Sequence, residues 1–112
     1  MFDLFKKKAM QHKNIQAEEF KAIIDENPDA VVLDVRTPGE VKQGKIPGAT
    51  AIYIMHPQFL EKIEQLDKDK TYLVYCRSGS RSAQACQYMG NKGFSDLNNL
   101  SGGISRWPYE TE

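Results

Sequence analysis

Apolar residues along this chain fall into short runs separated by polar segments, and two kinds of run alternate. Compact apolar or β-branched runs predict strands, at residues 30–33, 50–54, 71–75 and 94–97. Between them, segments with helical apolar spacing or with small, unbranched residues predict helices, at residues 16–24, 58–66 and 82–89. This alternation predicts an α/β fold in which helices cover both faces of a mainly parallel sheet.

The run 71–75 ends abruptly in a polar hexad, and a helix-forming segment follows directly. The hexad reads Cys76-Arg77-Ser78-Gly79-Ser80-Arg81. Strand, tight loop and helix in this order place Cys76 at the N-terminus of a helix. Backbone N–H groups and the positive end of the helix dipole stabilise a thiolate there, and only the thiolate is a good nucleophile. Cys76 is therefore the candidate catalytic residue.

The other residues of the hexad suit an anion-binding loop. Gly79 permits the backbone angles that turn successive amides toward one point, and Ser78 and Ser80, like Ser82 just after the hexad, can cap the helix or donate to an anion. Arg77 and Arg81 add positive charge, although Arg81 at a helix start needs a carboxylate or a bound anion to compensate it. The alternative, an inert buried cysteine with arginines facing water, fits this concentration of arginine and serine less well. We therefore predict that the five hexad residues after Cys76, residues 77–81, bind the substrate.

A second set of charged residues follows the strand predicted at residues 30–33. Asp34, Arg36 and Glu40 lie just beyond its carboxyl end, and in a parallel sheet the same edge carries the cysteine loop. One interpretation is that they shape the electrostatics under that loop, with an acidic member bracing Arg81. The alternative is a self-contained ion cluster that closes the strand end. We expect these three residues to support the site without taking a direct part in the chemistry.

Composition narrows the classes of function. The chain has 112 residues, 40% of them hydrophobic and 27% charged, which fits one globular domain. Fifteen basic and fifteen acidic residues give a formal net charge of zero, so no overall field favours nucleic acid. Two cysteines make no disulfide framework and favour a reducing, cytoplasmic location, and no C-x-x-C pair or His/Cys cluster indicates a metal. No apolar run approaches the length of a membrane span.

The sequence divides into an N-terminal extension at residues 1–13, a folded domain at 14–109 and a tail at 110–112. The extension is expected to be an added helix or a frayed end rather than a secretory signal, since its short apolar part precedes its lysines. Weak binding to a membrane surface or a partner is the alternative for this segment. Cys86, well inside the helix after the hexad, is expected in the core, with a resolving thiol as the alternative.

Three motifs in a fixed order resemble the single-domain rhodanese-like sulfurtransferases. The hexad at 76–81 resembles the active-site loop of that family. Leu-Asp-Val-Arg at 33–36, followed by Ile-Pro-Gly-Ala at 46–49, resembles its N-terminal signature, and Leu-Ser-Gly-Gly-Ile at 100–104 with Trp107 resembles its closing element. The resemblance covers nearly the whole chain and implies the rhodanese fold, in a small five-stranded version.

The chain departs from the usual pattern of this family at two positions. Lys45 stands where the family usually has histidine, and Val41 stands where it commonly has an aromatic residue. Neither position coincides with Cys76, so the departures concern local packing rather than activity.

The resemblance implies a sulfurtransferase that works through a persulfide on Cys76. The thiolate attacks the outer sulfur of thiosulfate or of a persulfide donor, and a thiophilic acceptor, cyanide or a thiol, then removes that sulfur. The amides of residues 77–81 are expected to hold the terminal sulfur, and Arg77 with the loop serines is expected to dock the donor. No cofactor is required, and a protein persulfide is a further candidate donor or acceptor.

Two other functions stay open from the sequence. Cysteine-dependent phosphatases and arsenate reductases also use a cysteine loop closed by arginine, but they resemble C-x5-R, whereas Cys76 and Arg81 form C-x4-R. The shorter loop makes a tighter cradle, better matched to one sulfur atom than to a tetrahedral phosphate. A persulfide carrier or a binding module without efficient turnover is the second alternative.

Overall fold

The computed structural model describes residues 11–112, which fold around a five-stranded sheet. The strands are β1 Lys13–Ile15, β2 Val31–Asp34, β3 Thr50–Ala51, β4 Thr71–Tyr75 and β5 Asp96–Leu100. The helices are α1 Ala17–Glu26, α2 Pro38–Lys42, α3 Phe59–Glu64 and α4 Ser80–Asn91, and a 3-10 helix follows at Ile104–Arg106. The strand order is β1-β5-β4-β2-β3, and every neighbouring pair is parallel. The predicted α/β fold with five strands is confirmed.

Strand β4 occupies the middle of the sheet, as its continuous apolar and aromatic run predicts. Its last four residues are buried. β2 pairs with one side of it as far as Asp34 opposite Tyr75, and β5 pairs with the other side as far as Asn99 opposite Val74. The carboxyl ends of three neighbouring strands therefore meet at one edge, around Cys76.

Separate apolar clusters lie on the two faces of the sheet. Alternate residues of β4 point to opposite faces, so that Val74 belongs to one cluster and Leu73 to the other. The first cluster includes residues of α3 and α4, such as Phe59. The second includes Phe20 of α1, whose ring centroid lies 5.7 Å from that of Trp107. The prediction that helices cover both faces is confirmed.

The strand predicted at residues 50–54 is shorter in the structure, where β3 has two residues. β3 pairs with the end of β2 at the edge of the sheet. Beyond it, Ile52 still donates its N–H to the carbonyl of Asp34 at 2.9 Å, but the chain then turns toward α3. The buried side chains of Ile52 and Ile54 explain the apolar pattern without a longer strand.

The last strand also differs from its predicted limits, since it runs from Asp96 to Leu100 instead of 94–97. Buried amides stand where apolar residues are expected in a strand. Asn98 compensates its burial by donating to the carbonyl of Tyr72 at 3.1 Å. Side-chain hydrogen bonding thus overrides the low strand propensity of asparagine.

Edge strand β1 was not predicted. Two of its three residues are exposed, so it lacks a buried apolar run, and only Ile15, opposite Leu100 of β5, is buried. β1 begins at Lys13, within the extension predicted at residues 1–13. A helix or frayed end is predicted for residues 1–13, and residues 1–10 of that extension lie outside the described residues.

The predicted tail at residues 110–112 lies against the loop that follows α2. The backbones of Glu112 and Lys45 exchange two hydrogen bonds, of 2.8 and 3.0 Å, and their side chains form an ion pair at 3.0 Å. Lys45 also donates to the carbonyl of Ala49 at 3.0 Å. The lysine that departs from the usual family pattern therefore has local partners in this chain.

The structure also bears on membrane spanning and on metal binding. Within residues 11–112, no helix combines the length and the apolar character needed to cross a membrane. In that same part of the chain, no three His, Cys, Asp or Glu side chains are grouped so that they could hold a metal ion. Cys76 and Cys86 are both free thiols.

Candidate active site

The loop between β4 and α4 wraps its backbone around one sulfur atom. Cys76 follows the last residue of β4, and Gly79, with a φ of 109°, turns the chain into α4. The sulfur of Cys76 accepts hydrogen bonds from the N–H of Gly79 at 3.1 Å, the N–H of Ser82 at 3.4 Å and the hydroxyl of Ser82 at 3.3 Å. A side chain at Gly79 would be strained at this φ and would lie 3.3 Å from the carbonyl of Leu100, which accounts for the glycine.

Burial and hydrogen bonding act in opposite directions on the thiol of Cys76. Burial raises its pKa, but hydrogen bonds from the side chain and backbone of Ser82 and from the backbones of Gly79 and Ser78 lower it by more. The net result is a pKa below that of an ordinary cysteine. A larger fraction of Cys76 is therefore thiolate at neutral pH than of a free cysteine.

Cys76 itself has no exposed surface, although three residues of its loop are open to solvent. Arg77, Ser78 and Ser80 are exposed, and the hydroxyls of the two serines lie 3.5 Å apart. The sulfur is therefore covered, while the loop around it faces solvent.

The segment after β5 fixes the outer side of the cysteine loop. Gly103 has a φ of 62°, and a Cβ at this position would overlap the carbonyl group of Arg77 and the backbone nitrogen of Ser78. Next to it, Ile104 donates its N–H to the carbonyl of Cys76 at 2.9 Å, and Ser105 donates to that of Arg77 at 3.1 Å. The resemblance marked this Gly-Gly segment as a closing element, and its contacts give the physical reason.

Arg81 lies in the first turn of α4, and the carboxylate that compensates it is Glu40. The two terminal guanidinium nitrogens of Arg81 donate to the two carboxylate oxygens at 2.8 and 2.9 Å. Glu40 also forms a capping box with Thr37 at the start of α2. The hydrogen bond from Arg81 is the main cause that lowers the pKa of Glu40 to about 2. The pair therefore ties the start of α4 to the start of α2.

Asp34 and Arg36 form a second ion pair, which is buried. The terminal nitrogen of Arg36 lies 2.7 Å from Asp34 and also donates to the carbonyl of Gly44 at 2.7 Å. The hydroxyl of Tyr75 donates to the same Asp34 carboxylate at 2.6 Å. These contacts join the end of β2 to β4 and to the loop after α2. The supporting role expected of both residues stays a prediction.

A groove of about 380 Å³ borders the cysteine loop on the side of Arg77. Its lining includes Arg36, Ser105 of the 3-10 helix and Thr111 of the tail. Within the described part of the chain, no carboxylate lies within 4 Å of the guanidinium of Arg77. Of the two arginines in the hexad, Arg77 is thus the one available to an anionic ligand.

Two residues near the sulfur were not among the predicted site residues. Ser82 provides two of the hydrogen bonds to Cys76, and the side-chain carbonyl of buried Asn99 accepts a hydrogen bond from the same hydroxyl. The sequence indicates Ser82 as a helix cap or an anion donor, because it lies in the first turn of the helix that the hexad opens, but not as a partner of the sulfur. No local signal marks Asn99, since only the fold brings the end of β5 beside α4.

Comparison with known proteins agrees with this geometry. Residues 16–110 match the family described as the rhodanese-like domain. A sulfurtransferase of Allochromatium vinosum is 38% identical over 95 residues, which are 83% of this chain and 85% of that protein. Thiosulfate sulfurtransferase GlpE of Pseudomonas syringae pv. syringae is 30% identical over 105 residues, 90% and 95% of the two chains.

The fold has solved counterparts as well. The crystal structure of a rhodanese-like domain protein from Staphylococcus aureus aligns with a TM-score of 0.78 and 30% identity, over 89% of this chain and 96% of that one. The parallel sheet, the cysteine loop at its carboxyl edge and the match over residues 16–110 lead to one conclusion. The chain belongs to the rhodanese-like domain family, in which the related single-domain proteins compared above are named sulfurtransferases.

Proposed function

We propose that this protein transfers a sulfane sulfur through a persulfide on Cys76, from thiosulfate or a persulfide donor to cyanide or a thiol. The observation that carries the proposal is the convergence of three hydrogen bonds on the sulfur of one buried cysteine. Donors fixed in advance around one atom stabilise a negative charge there without further reorganisation. Relatives named sulfurtransferase and thiosulfate sulfurtransferase support the same chemistry.

In the first step the thiolate of Cys76 attacks the outer sulfur of thiosulfate. A new S–S bond forms while the S–S bond of thiosulfate breaks, and sulfite leaves with the bonding electrons. The persulfide carries one negative charge on its outer sulfur, for which the loop amides are the expected donors. Arg77, exposed and without a carboxylate partner among residues 11–112, is suited to docking the donor anion.

In the second step the acceptor attacks the outer sulfur of the persulfide. Cyanide becomes thiocyanate, the S–S bond breaks, and its electrons return to Cys76 as a thiolate. The hydrogen bonds from Gly79 and Ser82 stabilise that thiolate as the leaving group. Neither step requires a cofactor.

A phosphatase or arsenate reductase finds less support in the contacts of Arg81. A phosphate-binding arginine must offer its guanidinium to the oxygens of the ligand. Here both terminal nitrogens of Arg81 are engaged by Glu40, at 2.8 and 2.9 Å. The role predicted for Arg81 in binding substrate stays a prediction, and its contacts suit it to holding the shape of the loop.

A persulfide carrier that passes sulfur between proteins is the second candidate. The observation in its favour is that Arg77, Ser78 and Ser80, which surround the buried sulfur, are exposed and offer a partner protein a contact surface. A carrier forms the same persulfide as an enzyme, so the two differ only in turnover with small donors and acceptors.

Intact mass spectrometry tests the proposal directly. The parent protein, Cys76→Ser and the matched control Cys86→Ser are incubated with thiosulfate or with a low-molecular-weight persulfide, and cyanide is then added. We expect the parent and Cys86→Ser to gain one sulfur atom that cyanide removes, and Cys76→Ser to gain none.

Turnover after loading separates the enzyme from the persulfide carrier. Loading followed by repeated turnover with thiosulfate and cyanide supports the enzyme, whereas loading with a single slow release supports the carrier. No gain of sulfur from either donor contradicts both and makes phosphatase and arsenate reductase assays the next measurements.

A further inference from the structure

Asn99, near the end of β5, contacts the cysteine loop through its side-chain amide, and its hydrogen bonds fix the orientation of that amide. Its side-chain nitrogen donates to the carbonyl of Gly79 at 3.1 Å and to the side-chain oxygen of Asn14 at 2.9 Å. The opposite orientation would set the amide oxygen of Asn99 against the Gly79 carbonyl, which can only accept. The amide oxygen of Asn99, 4% exposed as a residue, therefore faces the hydroxyl of Ser82.

The hydroxyl of Ser82 has one proton and two acceptors within reach. One acceptor is the amide oxygen of Asn99, and the other is the sulfur of Cys76 at 3.3 Å. A hydroxyl donates one hydrogen bond at a time, so the two acceptors compete for it. Ser82 is completely buried, so no water is available there to donate to the acceptor that does not receive the hydrogen bond of the hydroxyl.

The two forms of Cys76 in sulfur transfer differ in where the negative charge lies. In the free thiolate the charge is on the sulfur next to Ser82. In the persulfide it moves to the outer sulfur, and the inner sulfur becomes a weak, neutral acceptor. The balance between the two acceptors of the Ser82 proton therefore changes each time sulfur is loaded or released.

We propose that Asn99 is a positioning residue for sulfur loading. Its amide oxygen accepts the hydrogen bond of the Ser82 hydroxyl while Cys76 carries the outer sulfur. When the thiolate returns, the hydroxyl donates to the sulfur of Cys76 instead. The hydroxyl keeps its proton throughout and only rotates. Asn99 thereby favours the loaded state relative to the free thiolate. This inference rests on the proposed function.

The test is a double-mutant cycle of Asn99→Ala and Ser82→Ala. The apparent pKa of Cys76 is measured from the ultraviolet absorbance of its thiolate against pH. We expect Asn99→Ala to lower this pKa, by a factor of about five in the ionisation constant, because the hydroxyl then has only the sulfur as acceptor. In the Ser82→Ala background the same substitution should leave the pKa unchanged.

A second measurement follows sulfur loading itself. With a low-molecular-weight persulfide as donor, the equilibrium constant for loading should fall by a factor of about five in Asn99→Ala. Asn14→Ala is the matched control, since Asn14 contacts the amide nitrogen of Asn99 and leaves the acceptor for Ser82 in place. Asn99→Val, which suits a strand and lacks an acceptor, replaces Asn99→Ala if that protein does not fold.

Other charges near Cys76 stay constant through the cycle. The charged groups are Arg77 in the loop, Arg81 with its partner Glu40, and the Asp34–Arg36 pair at the end of β2, and the other titratable group is the thiol of Cys86 on α4. None of them is changed in any variant, so a shift in the pKa of Cys76 that disappears in the Ser82→Ala background reports on the hydroxyl.

Two results would overturn the inference. A pKa that rises in both backgrounds would mean that Asn99 acts only by tethering Gly79, and an unchanged pKa would mean that it does not influence the hydroxyl. Either result with normal sulfur loading removes the role of Asn99 alone. Absence of loading in the parent protein removes the proposed function, and the role of Asn99 in loading with it.

Discussion

Cys76 and Cys86 are both completely buried and belong to the same apolar cluster, yet the structure treats their thiols in opposite ways. Burial raises the pKa of Cys86 to about 12. For Cys76 the same effect is outweighed by hydrogen bonds, chiefly from Ser82, and the pKa falls below its ordinary value. The two residues lie at the start and in the middle of one structural unit, the cysteine loop with α4.

The comparison separates burial from reactivity. In mid-helix, the backbone N–H groups are already used within the helix, so the environment of Cys86 is apolar. At the helix start, N–H groups are free to point at the sulfur of Cys76. The Ser82 hydroxyl and unused backbone donors, and not exposure, therefore distinguish the candidate nucleophile from the core cysteine.

Replacing each cysteine by serine in turn should give the largest difference in thiolate titration. Cys76→Ser should abolish the thiolate absorbance that appears at pH values below the pKa of an ordinary cysteine. Cys86→Ser should leave that absorbance unchanged. The measurement is a difference titration of each variant against the parent protein. A thiolate signal that survives in Cys76→Ser would contradict the assignment of the reactive thiol.

Displacing the loop backbone should have the next largest effect. Gly103→Ala puts a Cβ into the carbonyl of Arg77, so the loop must move and its donors must leave the sulfur. We expect the pKa of Cys76 to rise by about 1 to 2 units and the free energy of unfolding to fall by about 3 kcal/mol. Gly48→Ala is the control, because Gly48 has a φ of 82° and open space around it.

The Gly48→Ala control separates the effect of backbone strain at a positive φ from the effect of displacing the cysteine loop. Gly48→Ala should cost about 1 kcal/mol of stability and leave the pKa of Cys76 unchanged. Denaturant unfolding and the thiolate titration measure the two quantities. Equal shifts of the pKa in both variants would mean that contact with Gly103 does not shape the loop.

Removing one side-chain donor should have a smaller effect. Ser82→Ala removes the hydroxyl and keeps the backbone N–H, so the pKa of Cys76 should rise by about 1 unit. Ser78→Ala is the matched control, since that hydroxyl is exposed and Ser78 acts on the sulfur through its backbone. The rate of thiol alkylation against pH measures both. A larger shift in Ser78→Ala than in Ser82→Ala would reverse the assigned order of donors.

Glu40→Gln should affect the pKa of Cys76 least, and its main effect is on acid stability. The pKa of Glu40 falls from 4.5 to about 2 on folding, so its pairing stabilises the protein above pH 4.5 and is lost as pH falls toward 2. After allowance for solvent screening, we expect this contribution to be about 1 kcal/mol. Glu40→Gln should remove it and shift the pKa of Cys76 by less than about 0.5 unit.

Unfolding midpoints at neutral pH and at pH 3 measure the acid contribution of Glu40. Glu64→Gln is the control, because Glu64 pairs with Lys68 and Lys92 on the surface, away from the cysteine loop. An acid dependence in Glu40→Gln equal to that of the parent would show that the Arg81 pair does not stabilise the fold.

The position of Cys76 was predictable because its signals are local. Five strand-forming residues stand before it, a glycine-containing loop stands after it, and a helix-forming segment follows. Strand direction then placed Asp34 at the same edge of the sheet, without knowledge of any contact. Pattern and chain direction are enough to locate a loop at the end of a parallel strand.

Asn99 and β1 were beyond prediction because their signals depend on tertiary contacts. Asn98 and Asn99 in sequence are typical of a turn, and they form a strand here because their amides meet donors and acceptors from β4 and the cysteine loop. β1 has only Ile15 to bury, and it is defined by pairing with β5. Neither kind of contact leaves a periodic trace in the sequence.

The close fit of Gly103 against the cysteine loop also sets an order of events during synthesis. Gly103 is made 27 residues after Cys76, and the loop reaches its final shape only when the later segment has packed against it. A chain still emerging from the ribosome would carry a cysteine of ordinary reactivity. The lowered pKa of Cys76 is thus expected only after the C-terminal part of the domain has folded.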